Sequence, residues 1–286
     1  MHGRKRNLRG PTAEEVRLQR EKAAKYGKLM SYVREARRGG DKSEETLKIV
    51  AKLLLINGDA YTLWNYRKEI LVDDFDASVE LSLTAQCLEK NPKCYGAWYH
   101  RKWVLARRPE LASAELGLCS IFLEADERNF HCWNHRRFAS ELAKESNKEV
   151  IAFCLEKLDA NFSNYSALHE LTHRFPSFTK DQAQVHLDLV AQAIFTEPDD
   201  QSAWWYQETL VRKLKNDDEE IRPLIDAHLE ALAQLRDLEP TCKWPLVALI
   251  RFKKLLYTDN KEEVNELREA LIKLDPAHEA MYKYTE

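Results

Sequence analysis

The sequence is poor in glycine and proline, with 8 Gly and 9 Pro in 286 residues. Both residues interrupt helices, so their scarcity is typical of a largely helical chain. No apolar stretch approaches the roughly 20 residues that a membrane-spanning helix needs. The formal net charge of -3 gives no overall basic field of the kind that nucleic-acid binding uses. We therefore expect neither a membrane span nor a nucleic-acid partner.

Signatures of disulfides, metal sites and independent catalysis are also missing. The six cysteines never form a Cys-x-x-Cys pair, and the nine histidines do not join them at ligand spacing. We interpret the cysteines as reduced thiols of a cytoplasmic protein. The sequence has no glycine-rich phosphate loop and no serine-triad signature. We do not expect this chain to catalyse a reaction by itself.

What the sequence does contain is a repeat of about 35 residues. Its anchor positions are 64, 98, 133, 168 and 204, which are 34, 35, 35 and 36 residues apart. The anchor residues are Trp64, Trp98, Trp133, Leu168 and Trp204. An arginine stands three residues after each of the first three, namely Arg67, Arg101 and Arg136. A period this regular predicts a helical solenoid.

Each period predicts a pair of helices. Amphipathic stretches such as Glu44 to Leu55 and Val185 to Phe195 form the first helix, and a turn dipeptide such as Asn-Pro or Glu-Pro ends it. The second helix carries the Trp-x-x-Arg element, whose two side chains share one helix face. We expect the tryptophan to be buried between helices and the arginine to bind backbone carbonyls. The prediction is an all-α, right-handed, crescent-shaped solenoid of stacked helical hairpins.

The repeats do not begin at once. In residues 1–40 a capping box at Thr12 and Glu15 predicts a long charged helix that ends near Gly39. Residues 41–286 then hold about five to seven hairpins. We expect residues 1–286 to form a single helical-repeat domain.

The period by itself also suits a tetratricopeptide-like binding scaffold. That family normally has glycine four residues after the tryptophan, where it allows close helix contact. The corresponding residues of this chain are Lys68, Lys102, Arg137, Thr172 and Glu208. The chain departs from the usual tetratricopeptide pattern at these positions. A binding scaffold without enzymatic activity nevertheless remains an alternative.

The residues around the anchors carry a more specific resemblance. Segments 91–101, 126–137 and 161–166 resemble the repeats of protein prenyltransferase α-subunits. The opening Met-His-Gly-Arg and the segment 195–204 look like the Rab geranylgeranyl type of that family. The resemblance extends over nearly the whole chain. The α-subunit shared by farnesyltransferase and type I geranylgeranyltransferase is an alternative, in which lysine is expected at position 128.

The resemblance implies an enzyme subunit that is inactive without a β-subunit. The β-subunit would hold a zinc ion and most of the active site. The heterodimer would transfer geranylgeranyl from geranylgeranyl diphosphate to C-terminal cysteines of Rab GTPases, which a Rab escort protein presents.

Family positions also suggest roles for single residues. Arg128 would stabilise the diphosphate, although a surface arginine paired with Glu124 or Asp126 is an alternative. His2 would be a resting-state ligand of the β-subunit's zinc. The residues expected to contact the substrate or the subunit interface are Asn129, Phe130, Asn164 and Tyr165.

Three repeats depart from the pattern. Gly58 replaces the proline of the first repeat, and Gln207 replaces the arginine of the fifth. In the fourth repeat, Leu168 and Leu171 stand where tryptophan and arginine are expected. These changes leave the local packing of the fourth repeat open.

Overall fold

The computed structural model describes residues 10–72, 74–175, 177–214, 218–257 and 260–284. Within these ranges the chain forms fifteen α-helices, two short 3-10 helices at Pro109–Leu111 and Pro276–His278, and no strand. The α-helices are α1 (Ala13–Arg38), α2 (Glu44–Ile56), α3 (Tyr61–Ile70), α4 (Ala77–Lys90), α5 (Tyr95–Leu105), α6 (Ala112–Ala125), α7 (Phe130–Ala143), α8 (Asn147–Ala160), α9 (Tyr165–Arg174), α10 (Lys180–Thr196), α11 (Gln201–Lys213), α12 (Arg222–Leu238), α13 (Trp244–Leu256), α14 (Lys261–Leu274) and α15 (Glu279–Tyr284). The prediction of an all-α hairpin fold is confirmed.

Helix α1 begins and ends where its sequence signals predict. The Thr12 hydroxyl accepts a hydrogen bond from the Glu15 amide at 3.2 Å, and the Thr12 amide donates to the Glu15 carboxylate at 2.7 Å. This reciprocal pair satisfies two amides that the first helical turn leaves without partners. The helix ends at Arg38 with Gly39 as its C-cap, and Gly40 follows with φ +70°. Only Val33 of α1 is buried, so most of the helix lies on the surface of the chain.

The residue contacts divide the chain into two compact units, Met1–Lys144 and Glu145–Glu286. The division falls in a polar connector after α7, where Lys144 caps the helix with φ 55°. The expectation of a single domain remains a prediction, and each unit is described by itself.

In the first unit three hairpins follow α1. They are formed by α2 with α3, α4 with α5, and α6 with α7. The second helices also pack on one another in chain order, α3 on α5 and α5 on α7. This is the neighbour-to-neighbour stacking that defines a repeat fold.

The second unit continues the hairpin pattern from α8 to α15. Helices α8 and α9, α10 and α11, α12 and α13, and α14 and α15 pack as pairs. The second helices again stack in order, α9 on α11 and α11 on α13. The core of the unit is aliphatic and aromatic, with Leu232 and Phe252 almost fully enclosed.

Each tryptophan anchor forms an equivalent hydrogen bond. Each indole Nε1–H donates to the backbone oxygen six residues earlier, in the turn before its own helix, at 2.7–2.8 Å. The donors are Trp64, Trp98, Trp133 and Trp204, and the acceptors are Gly58, Pro92, Glu127 and Pro198. The bond holds each turn against its second helix, and it forms at Gly58 even though proline is absent there.

Candidate functional site

The arginines of the first two Trp-x-x-Arg elements are buried, and each binds a glutamate of the next hairpin. Arg67 forms a bidentate pair with the Glu80 carboxylate at 2.6 Å and 2.6 Å, and also donates to the Leu47 carbonyl at 3.0 Å. Arg101 pairs with Glu115 in the same way, at 2.5 Å and 2.6 Å. Bidentate, desolvated pairs of this kind fix orientation strongly. These arginines therefore position the second helices.

Each of these glutamates also binds a histidine from the second helix of its own hairpin. His100 Nε2 lies 2.8 Å from Glu80, and His135 Nε2 lies 2.9 Å from Glu115. Burial lowers the pKa of both histidines, more than their glutamate partners raise it. Burial also opposes ionisation of both glutamates, but the hydrogen bonds from histidine and arginine outweigh it and lower their pKa. These pKa shifts indicate that each histidine is neutral and donates its Nε2–H to the glutamate carboxylate.

The asparagines at predicted interface positions are internal. Asn129 is 1% exposed, and its Oδ1 accepts the amides of His131 and Cys132 at the start of α7. Its Nδ2 donates to the Pro92 carbonyl at 3.1 Å, so that it also connects two repeats. Asn164 is fully buried and caps α9 through the Ala167 amide. Both residues hold the positions of their neighbours, and their side chains do not reach the surface.

Those neighbours are exposed. Arg128 points away from the core, and its nearest carboxylate is Glu127 at 3.7 Å, not Glu124 or Asp126. Phe130 is 62% exposed at the first residue of α7. Tyr165 takes the same place in α9 and packs against Trp205 with ring centroids 4.7 Å apart. His2 lies outside the described residues.

An ordered surface emerges along the second helices of the first unit. In α3, α5 and α7 the first residue is an exposed aromatic, the residue four later is exposed and polar or aromatic, and the residue seven later is a half-buried cation. Residues at i, i+4 and i+7 share one helix face. We call this surface the second-helix face. It consists of Tyr61, Asn65, Lys68, Tyr95, Tyr99, Lys102, Phe130, Asn134 and Arg137.

A shallow cavity of about 160 Å³ opens on the second-helix face between α5 and α7. Its lining includes Tyr95, Tyr99 and Phe130, and the Lys102 ammonium donates to Asn134 Oδ1 at 2.6 Å on its rim. His131 packs edge-on against Tyr95 at 4.1 Å between ring centroids. Exposed aromatics around a small depression are typical of a protein contact surface rather than of an enclosed active site.

The repeats that depart from the sequence pattern keep its packing. Leu168 and Leu171 are buried at the positions of the expected tryptophan and arginine. Gln207 is fully buried and bonded to His228, with 2.6 Å between Gln207 Nε2 and His228 Nε2. Apolar contacts and a neutral polar pair thus replace the ion pairs in the second unit.

The thiols are unsuited to nucleophilic or metal chemistry. All six cysteines are free and buried. Burial raises the pKa of Cys87 and of Cys94 to about 11, which keeps both protonated near neutral pH. Within the described ranges, no group of three His, Cys, Asp or Glu residues is arranged to hold a metal ion. Likewise, no helix in that part of the chain is long and apolar enough to cross a membrane.

Comparison with known proteins gives the geometry a family context. The model of the protein prenyltransferase alpha subunit repeat matches residues 43–73, 78–108 and 112–142, which contain the first three tryptophan anchors. The human geranylgeranyl transferase type-2 subunit alpha is 38% identical over 236 residues, covering 74% of this chain and 42% of the human protein. The chain thus spans less than half the length of that relative.

A second relative matches over its full length. The Dictyostelium discoideum geranylgeranyl transferase type-2 subunit alpha is 32% identical and covers 100% of this chain and 99% of its own. Among solved structures, a chain of Candida albicans protein geranylgeranyltransferase-I complexed with GGPP superposes with a TM-score of 0.75. That match covers 91% of this chain and 89% of the other at 22% identity, which shows a common fold.

Proposed function

Because this chain belongs to the family of geranylgeranyl transferase type-2 α-subunits, we propose that it is the α-subunit of a heterodimeric protein geranylgeranyltransferase. The complete enzyme transfers geranylgeranyl from geranylgeranyl diphosphate to C-terminal cysteines of Rab GTPases presented by an escort protein. The β-subunit supplies the zinc ion, which lowers the pKa of the substrate thiol. The buried free cysteines of this chain are those of a reducing compartment and support a cytoplasmic location.

One observation supports this proposal above the others: the repeated exposed aromatic at the first position of the second helices. A monomeric protein buries most large aromatics, whereas Tyr61, Tyr95 and Phe130 are exposed at equivalent positions of three successive hairpins. Aromatic side chains are enriched at the centres of protein interfaces. We assign the second-helix face to the contact with the β-subunit, where it completes the active site.

Arg128 and the aromatic of the next repeat fit this assignment. The Arg128 guanidinium stands exposed beside Phe130, at the start of α7, where the helix dipole favours an anion. There it would donate to phosphate oxygens of the lipid diphosphate and stabilise the departing charge. Asn129 holds the turn that carries Arg128 and Phe130, and in the second unit Asn164 caps the helix that begins with Tyr165. The resting-state contact of His2 with zinc belongs to the same proposal.

The test is reconstitution with the Rab-type β-subunit of the same organism. We expect a stable 1:1 complex and transfer of labelled geranylgeranyl to escort-bound Rab, absent from either subunit alone. Transfer to CaaX peptides but not to Rab would instead identify the shared α-subunit of farnesyltransferase and type I geranylgeranyltransferase. A failure to bind any prenyltransferase β-subunit would leave only the scaffold alternative.

Three variants of the same hairpin sharpen the test. Phe130→Asp should weaken binding of the β-subunit by about 30-fold or more, the loss of an interface hot spot. Ile121→Asp is the matched control, because Ile121 is 67% exposed but lies on the first helix, α6. Arg128→Ala should leave the complex intact and lower transfer by about tenfold or more. Equal effects of Phe130→Asp and Ile121→Asp would rule out the assigned face.

A further inference from the structure

Three cations recur on the second-helix face, one in each of α3, α5 and α7. They are Lys68, Lys102 and Arg137, each seven residues after the exposed aromatic of its helix and each half-buried. We call them the cation ladder. Seven residues make nearly two helical turns, so each cation lies about 10 Å along the same face from its aromatic.

The ladder cations lie among like charges. Burial, followed by the positive charge of Arg107, lowers the pKa of Lys68. Burial also lowers the pKa of Lys102, and Arg137 lowers it further, although Glu141 acts in the opposite direction. Each ammonium has therefore lost hydration and feels a neighbouring cation.

No carboxylate of the described residues lies within 4.0 Å of the Lys68 or Lys102 ammonium. Lys102 is held by a neutral group, Asn134 Oδ1, and lies 5.4 Å from the centre of the Phe138 ring. The more deeply buried cations of the same helices are different, because Arg67 and Arg101 each have a glutamate. The fold thus binds a carboxylate directly to each arginine inside the unit but to neither of these two lysines at its surface.

Half-buried lysines without a bound carboxylate cost free energy in the isolated chain, and carboxylates on a partner would offset that cost. The partner's identity follows from position, because a surface that covers the exposed aromatics of α3, α5 and α7 also reaches the third turn of each helix. Packed helices are about 8–10 Å apart, so complementary carboxylates would recur at about that interval.

We propose that the β-subunit carries a row of carboxylates that docks on the cation ladder and sets the register of the two subunits. The inference rests on the proposed function, since it specifies the chemistry of the partner surface. Complementary charges at an interface mainly raise the association rate and select the correct orientation. The exposed aromatics of the second-helix face then supply binding affinity, while the cation ladder raises the association rate and aligns the two subunits.

The test measures the association rate of the two subunits between about 50 and 300 mM salt, a range over which screening lengths change appreciably. The ladder variant carries Lys68→Glu, Lys102→Glu and Arg137→Glu. The control carries Lys48→Glu, Lys52→Glu and Lys90→Glu, three exposed lysines on the first helices α2 and α4. Both variants change the net charge equally, so a general effect of charge cancels.

At low salt we expect the ladder variant to associate at least about tenfold more slowly than the wild type and to lose most of its salt dependence. The control should stay within about threefold. Equal rates for the two variants would overturn the proposal even while the wild-type complex forms and transfers lipid. Failure of the wild-type chain to bind the β-subunit would instead count against the proposed function.

A second measurement needs no variant. Carbodiimide joins an ammonium to a carboxylate only when the two are in contact, so treatment of the wild-type complex should link Lys68 or Lys102 to aspartate or glutamate of the β-subunit. Recovery of links from other lysines but none from these two would also overturn the proposal.

Discussion

At the scale of single residues, the close contact of Gly96 with Trp64 determines how the first two repeats pack. A Cβ placed on Gly96 would lie 2.5 Å from Cδ1 and Nε1 of Trp64 and 2.8 Å from the Gly58 carbonyl oxygen. These are the atoms of the indole hydrogen bond that closes the first turn. Glycine is therefore needed at position 96 for contact rather than for backbone freedom, because its space is filled by the neighbouring anchor.

Gly96→Ala should accordingly destabilise the chain by about 1–3 kcal/mol, because the added methyl group displaces Trp64. The control is Gly117→Ala in α6, where a Cβ would meet nothing within 4 Å. That change should stabilise by about 0.5–1 kcal/mol through helix propensity alone. Urea unfolding of both variants checks the prediction, and equal midpoints would contradict it.

At the scale of helices, buried carboxylates join one hairpin to the next. Glu115 in α6 binds Arg101 from the preceding helix and His135 from the following one, and Glu80 in α4 does the same for α3 and α5. Such links specify the register of helices more than they add stability, since burying the charges offsets much of their attraction.

Arg101→Met should cost about 3–5 kcal/mol, because it leaves the Glu115 carboxylate buried without its cation. Adding Glu115→Leu should recover a large part of that loss by removing the stranded charge. The exposed pair of Arg37 and Glu69 is the comparison, and Arg37→Met should cost less than about 1 kcal/mol. A double-mutant cycle from chemical unfolding measures each term; additive losses at Arg101 and Glu115 would exclude the coupling.

At the scale of the whole molecule, neutral buried histidines make stability depend on pH. Burial lowers the pKa of His186 and of His228 to about 4, and it lowers those of His100 and His135 as well. The unfolded chain therefore binds more protons than the folded chain once the pH falls below the ordinary histidine pKa near 6.5. The stability contributed by these groups is complete above about pH 6.5 and decreases as the pH falls toward 4.

Each such histidine adds up to about 1.4 kcal/mol per pH unit to this decrease. His228→Gln, which keeps an acceptor for Gln207, should make the slope between pH 6 and 4.5 shallower by about that amount. Measurement of the unfolding free energy at several pH values tests this prediction. Parallel plots of unfolding free energy against pH for wild type and His228→Gln would contradict the lowered pKa of His228.

The sequence by itself determined the helical hairpins and their period, although α10 begins at Lys180, five residues before the predicted Val185. Repeated tryptophans, turn dipeptides and the Thr12 capping box are local signals, because helix starts, helix ends and amphipathic faces depend on residues within one or two turns. The burial of Trp64 and its counterparts follows from the same periodicity. The sequence also carries a recurring glutamate, 13 residues after Arg67 and 14 after Arg101, and these glutamates are the partners of the two arginines.

Only the tertiary structure decided which polar groups meet and which side chains reach the surface. Arg128, Asn129 and Phe130 are adjacent in sequence, yet only the middle one is buried, because the turn before α7 directs its side chain toward Pro92 of the preceding repeat. The alignment of Lys68, Lys102 and Arg137 likewise depends on how α3, α5 and α7 stack. The contact of Asn129 with Pro92 joins residues 37 positions apart, and its geometry is set by packing rather than by local propensity.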